Sequence, residues 1–365
     1  MTRFVVIGGG VSGLAAAHRL AELRRGQPNP VQITLLEASS RFGGLIETRQ
    51  EGQFLLELGP DAFLCGEPSV TDLCRRLGIQ EEMIETDEKF RRSFVLTGGE
   101  LTLKAGPSQW PEMERWYAGG SRYSQMFSFK GGVEHLIQTL SRKMPEAELR
   151  LSCPVARIEK GMRWAVILQN GETLQADAVC IAIPAGKAAA LLHPFAPELA
   201  AELNAIPYDS VATLNAVFRR SDVAHPLDAF GFVVPPSERR RILGATFASV
   251  KFPGRAAPEM VLIRAFVGGT SRQDLVDLDD SGMKQMVIEE LRRILGIRGE
   301  PILTVIRRHL QAIPQYRADH PEKVAAVEKQ AARYPGLYLI GNAYHGVGIP
   351  DCIRQAEMAA EQMAA

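Results

Sequence analysis

Three glycines at fixed spacing, Gly8, Gly10 and Gly13, stand directly after the apolar run Phe4–Ile7. An acid, Glu37, closes a second apolar run, Val31–Leu36. Residues of these types at this spacing can hold a dinucleotide. Gly8 permits a tight turn, Gly10 lets backbone amides come up to a pyrophosphate, and Gly13 lets the next helix pack close to a sheet. Glu37 can accept both hydroxyls of an adenosine ribose and would repel a 2′-phosphate, which disfavours NADP. The elements that must position them are legible too: a buried strand over Phe4–Ile7, an Ala/Leu-rich helix to about Leu23, and a second strand ending at the acid. The helix N-terminus offers unpaired N–H groups and partial positive charge to the phosphates.

A second strand–turn–helix lies at the other end of the chain. Leu337–Asn342 is an apolar strand ending in Gly341-Asn342, and Ala343–Asp351 leads into a helix from about Cys352 to Met363. It is a second site where a helix dipole can meet an anion or a ring oxygen. A site built from both chain ends fits FAD better than NAD, with the ADP half at the N-terminal turn and the isoalloxazine at the C-terminal one. The flavin then carries the redox chemistry, and no catalytic side chain is expected. In agreement, the sequence has no Ser/His/Asp, Cys/His or paired-carboxylate constellation. The lone His345 reads as structural or solvent-facing. Directly after Glu37, the segment Ala38-Ser-Ser-Arg41-Phe-Gly43-Gly44-Leu45 brings a glycine pair and an arginine, suited to a phosphate or flavin edge.

The bulk of the chain bounds the rest. Its 365 residues suit two domains, and 46% hydrophobic residues can bury a large core. Lys+Arg and Asp+Glu balance at 42 each, which gives no support to a nucleic-acid partner. The five cysteines show no C-x-x-C and the seven histidines no ligand spacing, so neither disulfides nor a metal site are expected. No apolar run approaches a membrane span, and the first strand starts too early for a leader, so a cytoplasmic location is expected. Pattern predicts a short helix over Asp72–Leu77, a hairpin around Gly98-Gly99, a helix over Val133–Lys143 and a hairpin within Leu149–Asn170. Ala178–Pro184 reads as a strand covered on both faces. From Ala188 to Val267 the pattern is antiparallel, clearest at Val211–Phe218 and Val261–Val267. A helix over Ser281–Leu295 and a strand over Pro301–Leu310 follow. The fold class expected is α/β, an FAD-binding Rossmann-type domain interleaved with an antiparallel-sheet substrate domain. The FAD-binding domain takes 1–90, 125–185 and 325–365, and the substrate domain 91–124 and 186–324.

Several of these segments resemble the protoporphyrinogen/coproporphyrinogen oxidases of haem synthesis, within the monoamine-oxidase-like FAD superfamily. They are Val5–Ala16, Glu37–Leu45, Gly59-Pro60-Asp61, Phe129-Lys-Gly-Gly132, Arg308–Tyr316 and above all Gly341–Ile353. The resemblance implies FAD-dependent oxidation of a porphyrinogen to the porphyrin, with hydride transfer to flavin and reoxidation by O₂ to H₂O₂. By matching position it implies that Gly8, Gly10, Gly13 and Glu37 bind the ADP part. Arg41, Gly43, Gly44 and Leu45 would line the pyrophosphate and ring region, Val155 would reach the adenine, and Val347, Gly348 and Ile349 the flavin. Val11, Ser12, Ala38, Gly59, Pro60, Asp61, Gly341 and Asn342 complete the implied cofactor site. Arg92 is the candidate cation for substrate propionates, set against a solvated surface arginine.

The chain departs from the family over Lys104–Ser124, where a long helical segment forms the substrate cap and membrane-facing surface of the relatives. That cap is reduced here, and peripheral membrane contact is expected only if some of its surface remains. Partners expected are the porphyrinogen and O₂, with haem-pathway enzymes or a second copy of the chain as further options. Two alternatives stand beside the main reading. One is an FAD protein of the same fold without turnover, its cap missing. The other is an amine oxidase or desaturase of the superfamily.

Overall fold

The computed structural model describes residues 1–27, 31–64, 68–104, 126–270 and 272–365. The expectations for Cys65 and for residues 105–124 lie outside them. Five parallel strands form one sheet in the order Ala147–Arg150, Val31–Leu36, Thr2–Ile7, Ala178–Ile181, Leu337–Leu339. The continuous apolar runs expected of strands covered on both faces are these central ones, and Val6, Leu35, Val179 and Ile181 are fully buried. The edge strand Ala147–Arg150 differs from expectation, since Leu149 reads in sequence as the start of a hairpin. Its four residues include two charged ones, and only its pairing with Val31–Leu36 makes it a strand.

One face of this sheet is covered by the first helix (Val11–Arg24), the last helix (Ile349–Ala364), and the helices Pro68–Leu77 and Glu134–Arg142. The first helix is nearly all small on its buried side, Ser12 to Ala17, so it lies close to both the sheet and the last helix. The last helix begins three residues earlier than the pattern suggests, with Pro350 in its first turn, where a missing N–H costs nothing. The other face is covered by the helices Ala185–Leu192, Pro197–Asn204 and His320–Ala331 and by a small three-stranded sheet, Val155–Lys160, Trp164–Leu168 and Thr173–Ala176. None of these three helices is marked by a clear apolar stripe in the sequence. The first is apolar almost all round, and the last buries only His320, Val324 and Val327.

The second large sheet has seven strands, in the order Leu303–Pro314, Tyr208–Arg219, Met260–Gly268, Gly244–Phe247, Gly231–Val233, Ser93–Thr97, Glu100–Lys104. All pairs are antiparallel except Gly231–Val233 with Ser93–Thr97. The predicted hairpin at Gly98-Gly99 is one edge of it. Alternation along the strands sends Leu214, Ala216, Ile263 and Ala265 toward the helix Asp280–Leu295. That helix is capped by the Asp279 carboxylate, which accepts from Gly282 N, and is closed by left-handed Gly296. Thr213, Asn215, Leu262 and Arg264 point to the opposite face. Among the described residues no helix is long and apolar enough to cross a membrane.

The two sheets meet at a buried seam around Glu57, the last residue of the hairpin Thr48–Glu51/Phe54–Glu57. Its carboxylate accepts from the Val133 amide at 2.9 Å and from the Thr48 hydroxyl at 2.7 Å, and so caps the helix Glu134–Arg142 from outside. The Arg255 guanidinium lies 3.7 Å away and donates to Ser128 Oγ and to the carbonyls of Phe129 and Lys130. The second of the two glycines after Phe129 is explained here. A Cβ on Gly132 would lie 2.3 Å from Thr48 Cγ2.

Burial pushes the Glu57 carboxyl up to about 7, against the opposing pull of Thr48, Arg255 and the Val133 amide. Its folded pKa therefore lies above the unfolded one. Its contribution to stability is fully present below about pH 4.5 and is lost as pH rises toward 7. Urea unfolding of the wild type and Glu57→Gln at pH 5 and pH 8 should show the wild type losing on the order of 3 kcal/mol relative to the variant between the two. A pH-independent difference would contradict the assignment.

Candidate active site

At the N-terminal turn every glycine of Gly8-Gly9-Gly10 is used, and for different reasons. Gly8 has φ +110° and its amide donates to Leu36 O at 2.8 Å; a Cβ there would sit 2.5 Å from Ala182 O. A Cβ on Gly13 would lie 1.9 Å from Gly8 O, which is the close helix-to-strand packing expected of it. Gly9 carries no assignment in the sequence motif, yet its Cβ would strike the Phe42 ring at 2.7 Å. Gly10 is the exception, because a Cβ there meets nothing within 4 Å. It is small where the protein leaves space. The helix that starts at Val11 has no side-chain cap and no acid in its first turn, so the amides around Ser12 and Gly13 present bare positive charge to that space.

Glu37 is half-buried at the end of its strand. Its Oε2 accepts from Gly9 N at 2.7 Å and its Oε1 from Ser39 N at 2.8 Å, which fixes the carboxylate and leaves lone pairs free for hydroxyl donors. Ala38 is exposed beside it. The amides of Ser152 and Cys153 donate to Ser39 O and Glu37 O, so Val155 is carried to the same end of the turn.

Gly43 pairs with Gly10 across a parallel bridge, and a Cβ on Gly44 would approach Gly10 Cα to 3.3 Å. Arg41 has a task that its sequence position does not show. It donates to the carbonyls of Phe42, Gly44 and Ile46 at 2.7–3.0 Å and pairs with Glu47 at 3.2 Å. The guanidinium thus folds the Gly43–Leu45 loop around itself. Leu45 passes on to the next segment, because a Cβ on Gly59 would sit 1.7 Å from Leu45 O.

Residues 57–61 are gripped by the seven-stranded sheet. Asn215 Nδ2 donates to Glu57 O, Thr213 Oγ1 and His309 Nε2 to Leu58 O, and Arg264 to Gly59 O. Beyond Pro60, the Asp61 carboxylate lies 3.0 Å from Lys251 Nζ and 3.6 Å from Arg264. Burial would raise the Asp61 pKa, but these two cations outweigh it and hold the group down at about 2. The buried lysine and arginines of this seam carry no motif in the sequence, and no local pattern marks them.

The C-terminal loop completes the site. Gly341 has φ +133° and, like Gly10, a Cβ there would meet nothing within 4 Å. Asn342 Nδ2 donates to Ala312 O, and a Cβ on Gly346 would collide with the Asp351 carboxylate at 2.2 Å. Val347 and Gly348 are half-exposed, whereas Ile349 is buried. The last helix is not a bare dipole as its partner is, since Asp351 Oδ2 accepts from Gly348 N and partly caps it. The two helix starts touch through the Ser12 hydroxyl and the Cys352 thiol, so both glycine turns open together. His345 is exposed and hydrogen-bonds Glu328 through Nε2, in line with the solvent-facing reading.

Arg92 lies apart from this cradle. It donates to Asp228 O and pairs with the Asp228 carboxylate at the edge of the seven-stranded sheet. An open groove of about 620 Å³ near Arg241 is also apart from it, and there Arg240 and Arg241 pair with Glu289 and Glu290.

The arrangement fits a flavin dinucleotide. It has a fixed acid for a ribose, a bare helix N-terminus for a pyrophosphate, and two glycines, Gly10 and Gly341, bordering space the protein does not fill. Gly10→Ala should leave the apoprotein within about 1 kcal/mol of wild type, the cost of alanine for glycine at an N-cap, while weakening FAD binding at least tenfold. Gly13→Ala should destabilise the apoprotein itself. Urea titration and FAD fluorescence titration of both variants separate the two effects; equal losses of stability would contradict the assigned roles.

A family model for flavin containing amine oxidoreductases matches residues 11–115 and 108–364. The two pieces overlap over 108–115, within the stretch Lys104–Ser124 where a shortened cap is expected. The chain is 25% identical over 454 aligned positions to coproporphyrinogen III oxidase of Bacillus subtilis (strain 168), covering 97% of this chain and 96% of that one. That alignment is longer than the 365 residues here, so the relative carries segments with no counterpart in this chain. It is 32% identical over 286 residues to protoporphyrinogen oxidase of Homo sapiens, covering 75% of this chain and 58% of that one. A crystal structure assigned as a protoporphyrinogen oxidase from Exiguobacterium sp. 255-15 superposes with TM-score 0.86 at 26% identity, covering 100% and 98% of the two chains. Reduced UDP-galactopyranose mutase shares the fold, at TM-score 0.78 and 13% identity over 99% of this chain and 93% of that one.

Proposed function

The chain belongs to the flavin-containing amine oxidoreductase family, and from that premise we propose that it oxidises a porphyrinogen, coproporphyrinogen III or protoporphyrinogen IX, to the porphyrin. FAD is the cofactor. The substrate class rests on the end-to-end match to coproporphyrinogen III oxidase. FAD held there would supply the redox chemistry: hydride acceptance from the macrocycle and return of the electrons to O₂, three times per porphyrinogen, would remove six electrons and yield three H₂O₂.

The chain's own residues bind and orient. Glu37 receives the ribose hydroxyls. The amides at Gly10, Val11, Ser12 and Gly13 face the pyrophosphate. Gly43, Gly44 and Leu45, shaped by Arg41, carry the cofactor toward Gly59, Pro60 and Asp61. Asn342 and the Val347–Ile349 turn take the ring end, and Ala38 and Val155 border the adenosine. In this reading residues 1–90, 125–185 and 325–365 bind the cofactor, while 91–124 and 186–324 offer the substrate face. No side chain of the chain need act as acid, base or nucleophile.

A second reading has one observation in its favour: the relative carries segments with no counterpart in this chain. A protein without its substrate cap could bind FAD and turn nothing over. Anaerobic titration distinguishes the two readings. Addition of one of the two porphyrinogens should bleach the visible flavin band, and admission of air should restore it with release of peroxide. A yellow protein that neither substrate bleaches would leave the non-turnover reading standing.

A further inference from the structure

The strand Leu303–Pro314 of the seven-stranded sheet ends two residues before Tyr316, and the segment stays anchored to that sheet, with Gln315 N donating to Pro207 O at 2.8 Å. The Tyr316 ring turns away from the sheet toward the C-terminal glycine loop. Its hydroxyl donates to Asn342 O at 2.8 Å and accepts from Gly346 N at 2.8 Å. One oxygen atom therefore closes the loop across both of its limbs.

The ring is itself held. It stacks on His320 with centroids 3.7 Å apart and planes 20° from parallel. His320 is buried, and its Nε2 lies 3.2 Å from Tyr344 O, a carbonyl that can only accept, so Nε2 carries the proton. Burial keeps this imidazole below its ordinary pKa and raises the Tyr316 phenol, so the stack is neutral and the hydroxyl stays protonated. A phenol in that state can both give and receive a hydrogen bond. A third contact, Asn342 Nδ2 to Ala312 O, ties the same loop to the end of the same strand.

Resting on the FAD reading above, we infer that Tyr316 is a positioning residue. Through the Asn342 carbonyl and the Gly346 amide it fixes the 341–349 loop against the isoalloxazine and ties that loop to the seven-stranded sheet. It touches no reacting atom and acts through the backbone it holds.

Tyr316→Phe keeps the ring and its stack on His320 and removes only the oxygen. In the wild type and in this variant, FAD affinity is read by fluorescence titration, and the flavin environment by the absorption band shape and midpoint potential. Unfolding of the apoprotein is followed in parallel. The expected result is an FAD dissociation constant raised about tenfold, the equivalent of about 1.4 kcal/mol. It comes with a shifted flavin band and potential and an apoprotein melting point that stays put. Tyr334→Phe serves as the control, because it removes a hydroxyl that bonds Phe195 O and no residue of the loop, and it should change none of these. Unchanged affinity and spectrum in Tyr316→Phe would overturn the inference. So would an apoprotein that melts lower or fails to fold, since the hydroxyl would then serve the fold rather than the cofactor loop. A wild-type chain that takes up no FAD would overturn the cofactor reading first, and this inference with it.

Discussion

Where a strand ends inside the protein, its backbone carbonyls must find donors other than a neighbouring strand, and in this protein that requirement falls on residues 57–59. Three successive carbonyls, those of Glu57, Leu58 and Gly59, are met by Asn215, Thr213, His309 and Arg264 from the seven-stranded sheet. An unmet carbonyl there would cost about 1–3 kcal/mol, so the segment cannot move without the sheet that satisfies it. The same segment caps the helix Glu134–Arg142 on one side and abuts Leu45 on the other. The candidate cofactor cradle and the antiparallel sheet are therefore set relative to one another by a short stretch of extended chain.

The charges along this seam show how environment decides protonation. Glu57 is buried and Asp61, four residues on, is half-buried, yet the first is pushed up to about 7 and the second held at about 2. The difference is proximity of charge. Asp61 has a lysine at 3.0 Å and an arginine at 3.6 Å, whereas the Arg255 guanidinium beside the Glu57 carboxylate stands at 3.7 Å and is shared with three neutral acceptors. Neutral donors soften desolvation at Glu57 without overcoming it, while two cations at Asp61 do overcome it. Removing one partner of such a buried set costs more than the pair contributes, which makes the seam strict about geometry.

Much of the fold is legible in the sequence where the signal is local. The Phe4–Ile7 and Val31–Leu36 runs, the helix between them and the terminal strand–turn–helix all follow from apolar period and glycine spacing. Elements whose identity depends on a distant partner do not. Ala147–Arg150 becomes a strand only beside Val31–Leu36, and Ala185–Leu192 has no polar stripe to announce a helix. The site divides in the same way. Gly8, Gly10, Gly13, Glu37 and Gly341 are readable because a turn or a dipole demands them in place. Gly9, Glu57, Lys251, Arg255, Arg264 and Tyr316 are not, because their partners lie far away in sequence. Arg41 is legible in position, while its hold on its own loop carbonyls is not.

The central claim is that one FAD spans backbone segments from both ends of the chain, held in register by the 57–61 seam. Hydrogen–deuterium exchange of the apoprotein with and without FAD tests it most directly. The account predicts that FAD slows exchange together in peptides covering 8–13, 37–46, 57–61 and 341–349. Slowing confined to the two N-terminal segments would contradict it, for the C-terminal loop would then be no part of the cofactor site.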